Sequence, residues 1–121
     1  MIAVFKPSLA CLILCAPAAF ADPPEIVEAT AKHSGDSWTI SVTLAHPDTG
    51  WDHYADGWEV LASDGTSLGV RVLVHPHVNE QPFTRSLGGI RVPEGATTLQ
   101  IRARCLVDGW NGETHTLTLP N

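Results

Sequence analysis

The sequence predicts an all-β domain, a single antiparallel sandwich of about seven strands. After residue 22, runs in which every second residue is apolar recur about every 10–15 residues, which is typical of strands with one buried face. Turns such as Asp64-Gly65 separate the runs, and no run has the 3.6-residue period of an amphipathic helix. Short strands joined in this way indicate a sandwich. The clearest run places four residues on one face: Trp38, Ile40, Val42 and Leu44.

The expected strands follow one another without a linker or an internal repeat. Pro76 ends the fourth, since proline cannot donate to a sheet ladder, and Gly88-Gly89 is expected to bend the fifth. In the fourth strand Arg71 is expected to face solvent, and four apolar alternates are expected to face the core: Leu68, Val70, Val72 and Val74. The strands are expected at residues 25–32, 37–45, 57–62, 67–74, 82–87, 97–107 and 113–119.

Residues 1–21 have the pattern of a cleaved signal peptide, which leaves residues 22–121 as one domain. Lys6 precedes an apolar run that is too short to span a membrane, and the small residues Ala19 and Ala21 suit cleavage before Asp22. We therefore expect a secreted or periplasmic protein with no membrane span.

The three cysteines divide between these two parts of the chain. Cys11 and Cys15 lie in the leader, and neither suits lipid attachment: Leu14 is too large a residue to precede Cys15, and little apolar sequence precedes Cys11. Cys105 then remains alone, so the domain has no internal disulfide. Its place on the apolar side of a strand predicts a buried thiol. The alternatives are a bridge to a second chain and a metal thiolate.

Charge and motifs exclude several classes of function. Without Lys6 the chain has 13 acidic and 6 basic side chains, a formal charge of −7. Such a surface repels nucleic acids and anionic membranes. The sequence contains no nucleophile elbow, zinc-protease helix, phosphate loop or dinucleotide fingerprint. We therefore expect a binding protein, not an enzyme, with no nucleic-acid partner.

Three polar and aromatic loops are expected at the same end of the sandwich. Successive turns of antiparallel strands alternate between the two ends, so residues 46–56, 75–81 and 108–112 share one end. The other end carries only small turns. Residues 49–58 alone hold two tryptophans, the only tyrosine, a histidine and two aspartates. Because loops commonly carry function, this end is the candidate site.

Histidines in these loops predict a transition-metal site for copper or zinc. His75 and His77 flank a rigid proline in extended chain, so their side chains are expected to point the same way. His53 and Asp52 come from the neighbouring loop and complete the expected ligand set. Further acids there also permit a calcium site. The alternative without a metal is that these side chains only hydrogen-bond the loop backbone. Other side chains that can complete or orient the site are His46, Asp56, Glu80 and Asp108.

Loop aromatics support a second hypothesis, a carbohydrate- or protein-binding module without a metal. Trp51, Tyr54 and Trp110 are expected in the loops at the same end, where aromatic rings can stack on sugars or anchor a protein partner. The alternative is that these rings close the open end of the core.

Two resemblances accompany these observations. The phrases at residues 50–58 and 75–86, Gly-Trp-Asp-His-Tyr-Ala-Asp-Gly-Trp and His-Pro-His-Val-Asn-Glu-Gln-Pro-Phe-Thr-Arg-Ser, resemble those of small exported bacterial proteins whose activity is not established. Trp58 on the third strand and the Val-Pro-Glu-Gly corner at residues 92–95 resemble immunoglobulin and fibronectin III domains. The paired cysteines and corner tyrosine of true immunoglobulin domains are missing. This second resemblance implies architecture alone.

Overall fold

The computed structural model describes residues 22–121, so the expected signal peptide, with Cys11 and Cys15, lies outside the described residues. The described chain contains eight strands and no helix. The strands are β1 (Glu25–Ser34), β2 (Ser37–Ala45), β3 (Ala55–Leu61), β4 (Ser67–Val72), β5 (Phe83–Ile90), β6 (Thr98–Cys105), β7 (Gly109–Trp110) and β8 (His115–Thr118).

The strands form two antiparallel sheets, which confirms the all-β sandwich. One sheet has the order β1-β2-β5, and the other has the order β4-β3-β6, with β7 and β8 both paired to β6. β7 pairs with β6 at Arg104 and Cys105, whereas β8 pairs with residues 98–101 of the same strand. The last expected strand therefore corresponds to β8, and β7 is an additional short strand formed by residues that were expected in a loop. Among residues 22–121, no helix is long and apolar enough to cross a membrane.

The core lies between the inner faces of β2 and β5 on one side and β3 and β6 on the other. β2 and β6 alternate between buried and half-buried residues, as the period of two predicts. Trp58 at the centre of β3 is fully buried, and Phe83 at the start of β5 is nearly so. Cys105 is fully buried at the end of β6 and is a free thiol, which confirms the expected burial.

The predicted faces of the fourth strand were wrong. Val72 and Val74 are 61% and 71% exposed, whereas Leu73 is only 3% exposed and lies in the core. Arg71 is opposite the inward Trp58 in the register of β4 and β3, so its side chain starts on the inner face. Gly69 lies on the same face, where a Cβ atom would come within 2.7 Å of the Ile90 side chain. The missing side chain allows β5 to approach. Alternation favours the other face, because within β4 the inward face carries Gly69 and Arg71 and the outward face carries the apolar Val70 and Val72. Val70 is also exposed, and Leu68 is only partly buried.

Candidate functional site

Hydrogen bonds between loops show that the three polar loops meet at one end. The His46 N–H donates to the Gln81 side chain (3.0 Å), and that side chain donates to the His77 carbonyl (2.9 Å). The Leu106 N–H, just beyond β6, donates to the Tyr54 carbonyl (2.9 Å). The residues after β2, after β4 and after β6 are therefore neighbours, as the alternation of turns predicts.

Asp48 is the buried centre of these contacts. Its side chain has no solvent exposure, and its Oδ1 accepts from His46 Nδ1 (2.5 Å) and from the Ala55 N–H (2.9 Å). Its Oδ2 accepts from the His77 N–H (2.8 Å). One carboxylate therefore joins a histidine ring, the start of β3 and the loop before β5. Both oxygens have partners, which is what a buried carboxylate requires.

His46, His53 and Cys105 form the one convergent group of potential metal ligands within residues 22–121. One donor atom from each residue lies within 4.8 Å of the other two. The two imidazole rings meet edge to face, with centroids 4.8 Å apart. The Nε2 atoms of His46 and His53 are buried and find no hydrogen-bond partner in the described chain. Buried ring nitrogens normally have partners, because burial without one costs free energy.

Strand ends and a tight turn explain why these side chains converge. His46 directly follows β2, Cys105 is the last residue of β6, and His53 lies in a small closed turn before β3. In that turn the His53 N–H donates to the Gly50 carbonyl (3.2 Å). Antiparallel neighbours place the end of one strand beside the start of the next. The three side chains therefore lie at the same height in the sandwich.

The turn after β6 surrounds the Cys105 sulfur with donors and acceptors. Gly109 has φ +71°, a left-handed conformation that glycine tolerates, and it brings Asp108 back over Cys105. The Asp108 N–H donates to Sγ (3.4 Å), and the thiol donates to the Asp108 carboxylate (3.4 Å). Burial raises the pKa of the Cys105 thiol. The raised pKa keeps this thiol protonated at neutral pH.

His75 and His77 lie close together, but the structure does not bring them into the group with His53 and Cys105. Their ring centroids are 4.4 Å apart, and His77 stacks on Phe83 at 3.8 Å. The Arg85 guanidinium contacts His77 Nε2 at 2.9 Å. Because a guanidinium only donates, it occupies the Nε2 lone pair of His77. Burial, and then the neighbouring His75 and Arg85, lower the pKa of His77.

The remaining predicted residues lie at or near the surface. Asp52 is exposed beside the turn of His53, and Trp51 is 68% exposed. Trp51 and Tyr54 meet edge to face, with ring centroids 5.9 Å apart.

Trp110 was expected in a loop and lies instead in β7. Two guanidinium groups lie near its ring centroid, that of Arg102 at 4.4 Å and that of Arg104 at 5.3 Å. Both arginines are also paired with acids, Arg102 with Glu59 and Arg104 with Asp56.

Sequence reasoning gave His46 only an auxiliary role and treated Cys105 mainly as core. A positional signal was available, since His46 directly follows the expected second strand and Cys105 lies two residues before the end of the expected sixth, both at the loop-bearing end. A polar residue at such a strand end faces the same space as the loops. The His75-Pro76-His77 motif is the more conspicuous pattern in the sequence, because two histidines so close together resemble a complete chelating pair.

Comparisons with known proteins found one relative in sequence and one solved structure of similar fold. No protein-family model matches the chain. A protein of Halomicrobium mukohataei named "Putative lipoprotein" is 42% identical over 89 residues, which are 73% of this chain and 43% of that protein. The chain thus spans less than half of that relative. The crystal structure of hypothetical protein PH1083 from Pyrococcus horikoshii OT3 is similar, with TM-score 0.52 and 15% identity over 81% of this chain and 88% of that one. The second similarity supports the fold alone.

Proposed function

We propose that this protein is a small exported binding protein that holds a transition metal through His46, His53 and Cys105. The observation that carries the proposal is the convergence of one donor atom from each of these three residues. Both histidines also have a buried Nε2 atom without a hydrogen-bond partner in residues 22–121. A metal ion would use the lone pairs that the fold leaves free. A bound ion would also explain why two imidazole rings lie at the edge of the apolar core.

The donor set suits zinc or copper. Imidazole and thiolate are the ligands that zinc and copper prefer among common protein ligands. Tetrahedral ligands at about 2.0–2.3 Å from zinc lie about 3.3–3.6 Å apart. The donor atoms here lie within 4.8 Å of one another, so shifts of about an ångström bring them to a common ion. Three protein ligands leave a fourth position for water, Asp108 or a partner's ligand.

Export is supported by two separate features. Residues 1–21 have the pattern of a signal peptide. The relative from Halomicrobium mukohataei is named as a lipoprotein, which is a kind of exported protein. We propose a secreted or periplasmic location, with no enzymatic reaction and no nucleic-acid partner. We also propose that the sandwich is of the immunoglobulin or fibronectin III type.

A metal site at His75 and His77 and a calcium site have less support from the structure than the His46–His53–Cys105 group. A site at His75 and His77 must displace the Arg85 guanidinium from His77 Nε2, and the cation beside it repels a metal ion. Calcium requires a group of oxygen ligands, whereas the group that converges here is two imidazoles and a thiol. The carbohydrate- or protein-binding alternative is favoured by one observation, the exposed Trp51 packed edge to face on Tyr54. Such a pair can support a flat ligand.

Titration of the purified protein with Zn(II) and Cu(II) by calorimetry, and with Co(II) by absorbance, tests the metal site. We expect one ion per chain and a sulfur-to-cobalt charge-transfer band. His46→Ala and His53→Ala should each weaken binding by at least about tenfold, a loss of about 1.4 kcal/mol or more. Cys105→Ser should abolish the charge-transfer band, because a hydroxyl cannot supply it.

The matched control is His75→Gln/His77→Gln, which removes the other histidine pair from the same end. We expect its affinity to match the unsubstituted protein, with folding checked by circular dichroism for every variant. Absence of stoichiometric binding by the unsubstituted protein would overturn the proposal. Loss of binding only in the control would move the site to His75 and His77.

A further inference from the structure

Asp48 is the residue on which the orientation of His46 depends. The pair is fully buried: neither side chain has solvent exposure. Asp48 Oδ1 and His46 Nδ1 are 2.5 Å apart, so this ring nitrogen has a strong acceptor beside it. The second ring nitrogen, Nε2, is buried beside His53 and Cys105 without a partner in the described part of the chain.

The carboxylate decides which ring nitrogen carries the proton. An ionised carboxylate only accepts hydrogen bonds, and its other bonds, from the Ala55 and His77 N–H groups, come from donors as well. His46 Nδ1 must therefore be the donor in this pair. A neutral imidazole with a proton on Nδ1 has its lone pair on Nε2, which faces the cluster. This arrangement is that of carboxylate–histidine–metal triads.

We propose that Asp48 is the positioning residue of the metal site: it holds His46 as the Nδ1–H tautomer and directs the Nε2 lone pair at the ion. This assignment rests on the proposed function for the ion, but the tautomer itself is a property of the metal-free protein. Asp48 does not touch the metal. Because it also holds the Ala55 and His77 N–H groups, it fixes the loop that carries His53 against the loop before β5.

The tautomer is measured directly by two-bond ¹H–¹⁵N correlation spectra of the metal-free, ¹⁵N-labelled protein at about pH 8, where histidine is largely neutral. We expect Nδ1 of His46 to be protonated and Nε2 to be unprotonated. A wild-type spectrum with the proton on Nε2 would overturn the proposal. This measurement needs no variant, so a folding defect in a variant cannot obscure it.

Asp48→Asn tests the role of the carboxylate, and Asp52→Asn is the matched control. Asp52 is exposed in the same loop, so its substitution removes the same charge. We expect Asp48→Asn to change the tautomer balance of His46 and to weaken Zn(II) binding about 10–100-fold, as loss of a supporting carboxylate does in metal sites. Its cobalt complex should keep the sulfur charge-transfer band, since Cys105 is intact.

The outcomes separate the two proposals. An unchanged tautomer and unchanged Zn(II) affinity in folded Asp48→Asn would overturn the positioning role. Equal weakening in Asp52→Asn would assign the effect to net charge and also overturn it. Failure of the wild type to bind any of the three ions, with the Nδ1–H tautomer present, would overturn the proposed function and leave the Asp48–His46 assignment standing.

Discussion

Two histidine pairs lie at the same end of this sandwich, and their lone pairs distinguish them. His46 and His53 come from seven residues apart in sequence, meet edge to face and leave both Nε2 atoms buried without a partner in residues 22–121. His75 and His77 are only two residues apart and have closer ring centroids, at 4.4 Å. Yet Arg85 occupies the Nε2 lone pair of His77. The pair with the closer rings is therefore not the pair whose Nε2 atoms are buried without a partner in residues 22–121.

The second pair has the contacts of a structural brace. His77 is stacked on Phe83 with an interplanar angle of 7°, and the Arg85 guanidinium lies 5.5 Å from the same ring centroid. The His75 Nδ1 faces the Pro76 carbonyl at 2.9 Å. Through these contacts the flat histidine rings pack the loop before β5 against the sheet. Within residues 22–121 the first pair has no comparable stacking partner, and Asp48 holds the His46 ring instead.

Phe83→Ala should have the largest effect on stability, because it removes the aromatic ring on which His77 of the second pair stacks. Phe83 is 2% exposed, and truncation of such a side chain typically costs about 3–5 kcal/mol. We expect a loss of that size in urea-induced unfolding, with metal affinity retained by the molecules that remain folded. Trp51→Ala is the control, because a largely exposed ring should cost no more than about 0.5 kcal/mol. A loss below about 1 kcal/mol in Phe83→Ala would contradict the brace.

The stabilisation of the folded protein by added Zn(II) tests whether the first pair, and not the second, binds the ion. A ligand that binds only the folded state at 100 times its Kd stabilises that state by about 2.7 kcal/mol. We expect this increase in the free energy of unfolding on addition of Zn(II) to the unsubstituted protein and to His75→Gln/His77→Gln. His46→Ala and Cys105→Ser should gain much less at the same zinc concentration. Equal gains in all four proteins would place the binding elsewhere.

The sequence predicted the layers of the fold and the end at which the three loops meet, but not which loop side chains converge there. The alternation in β2 and β6 follows from burial of one face, and the chain order placed the three loops together. The sequence pattern misplaced Arg71 and Val72, because the apolar face of β4 is the outward one and the inward face depends on the approach of Ile90 to Gly69. The convergence of His46 with Cys105 lies beyond the sequence pattern for a related reason, since these residues are 59 positions apart in sequence and meet only in the folded chain.

The pH dependence of stability should reveal the contribution of His77 in the second pair. Burial, and the nearby His75 and Arg85, lower the pKa of His77 below its ordinary value of 6.5. The unfolded chain therefore takes up this proton at higher pH than the folded chain does. The contribution is fully present above pH 6.5 and is lost as pH falls toward the folded pKa.

The measurement is the free energy of unfolding across this range for the unsubstituted protein and His77→Gln. The glutamine side-chain oxygen can still accept from Arg85 but has no proton to gain there. We expect a smaller fall in stability on acidification in the variant, and the difference between the two curves isolates His77 from the other titrating groups. Parallel curves would show that His77 ionises as freely in the folded protein as in the unfolded chain.

His75→Ala is expected to have the smallest effect, and it addresses the comparison most directly. His75 is exposed, and its one side-chain hydrogen bond within residues 22–121 is to the adjacent Pro76 carbonyl. Removal of an exposed side chain with such local contacts should change stability by at most about 0.5 kcal/mol. Because its Nε2 lies outside the His46–His53–Cys105 group, Zn(II) affinity should stay within a factor of about three, a difference below about 0.7 kcal/mol. A tenfold loss of affinity measured by the same calorimetric titration would show that the exposed ring supplies a ligand. The free lone pairs of the buried pair would then not be what selects the site.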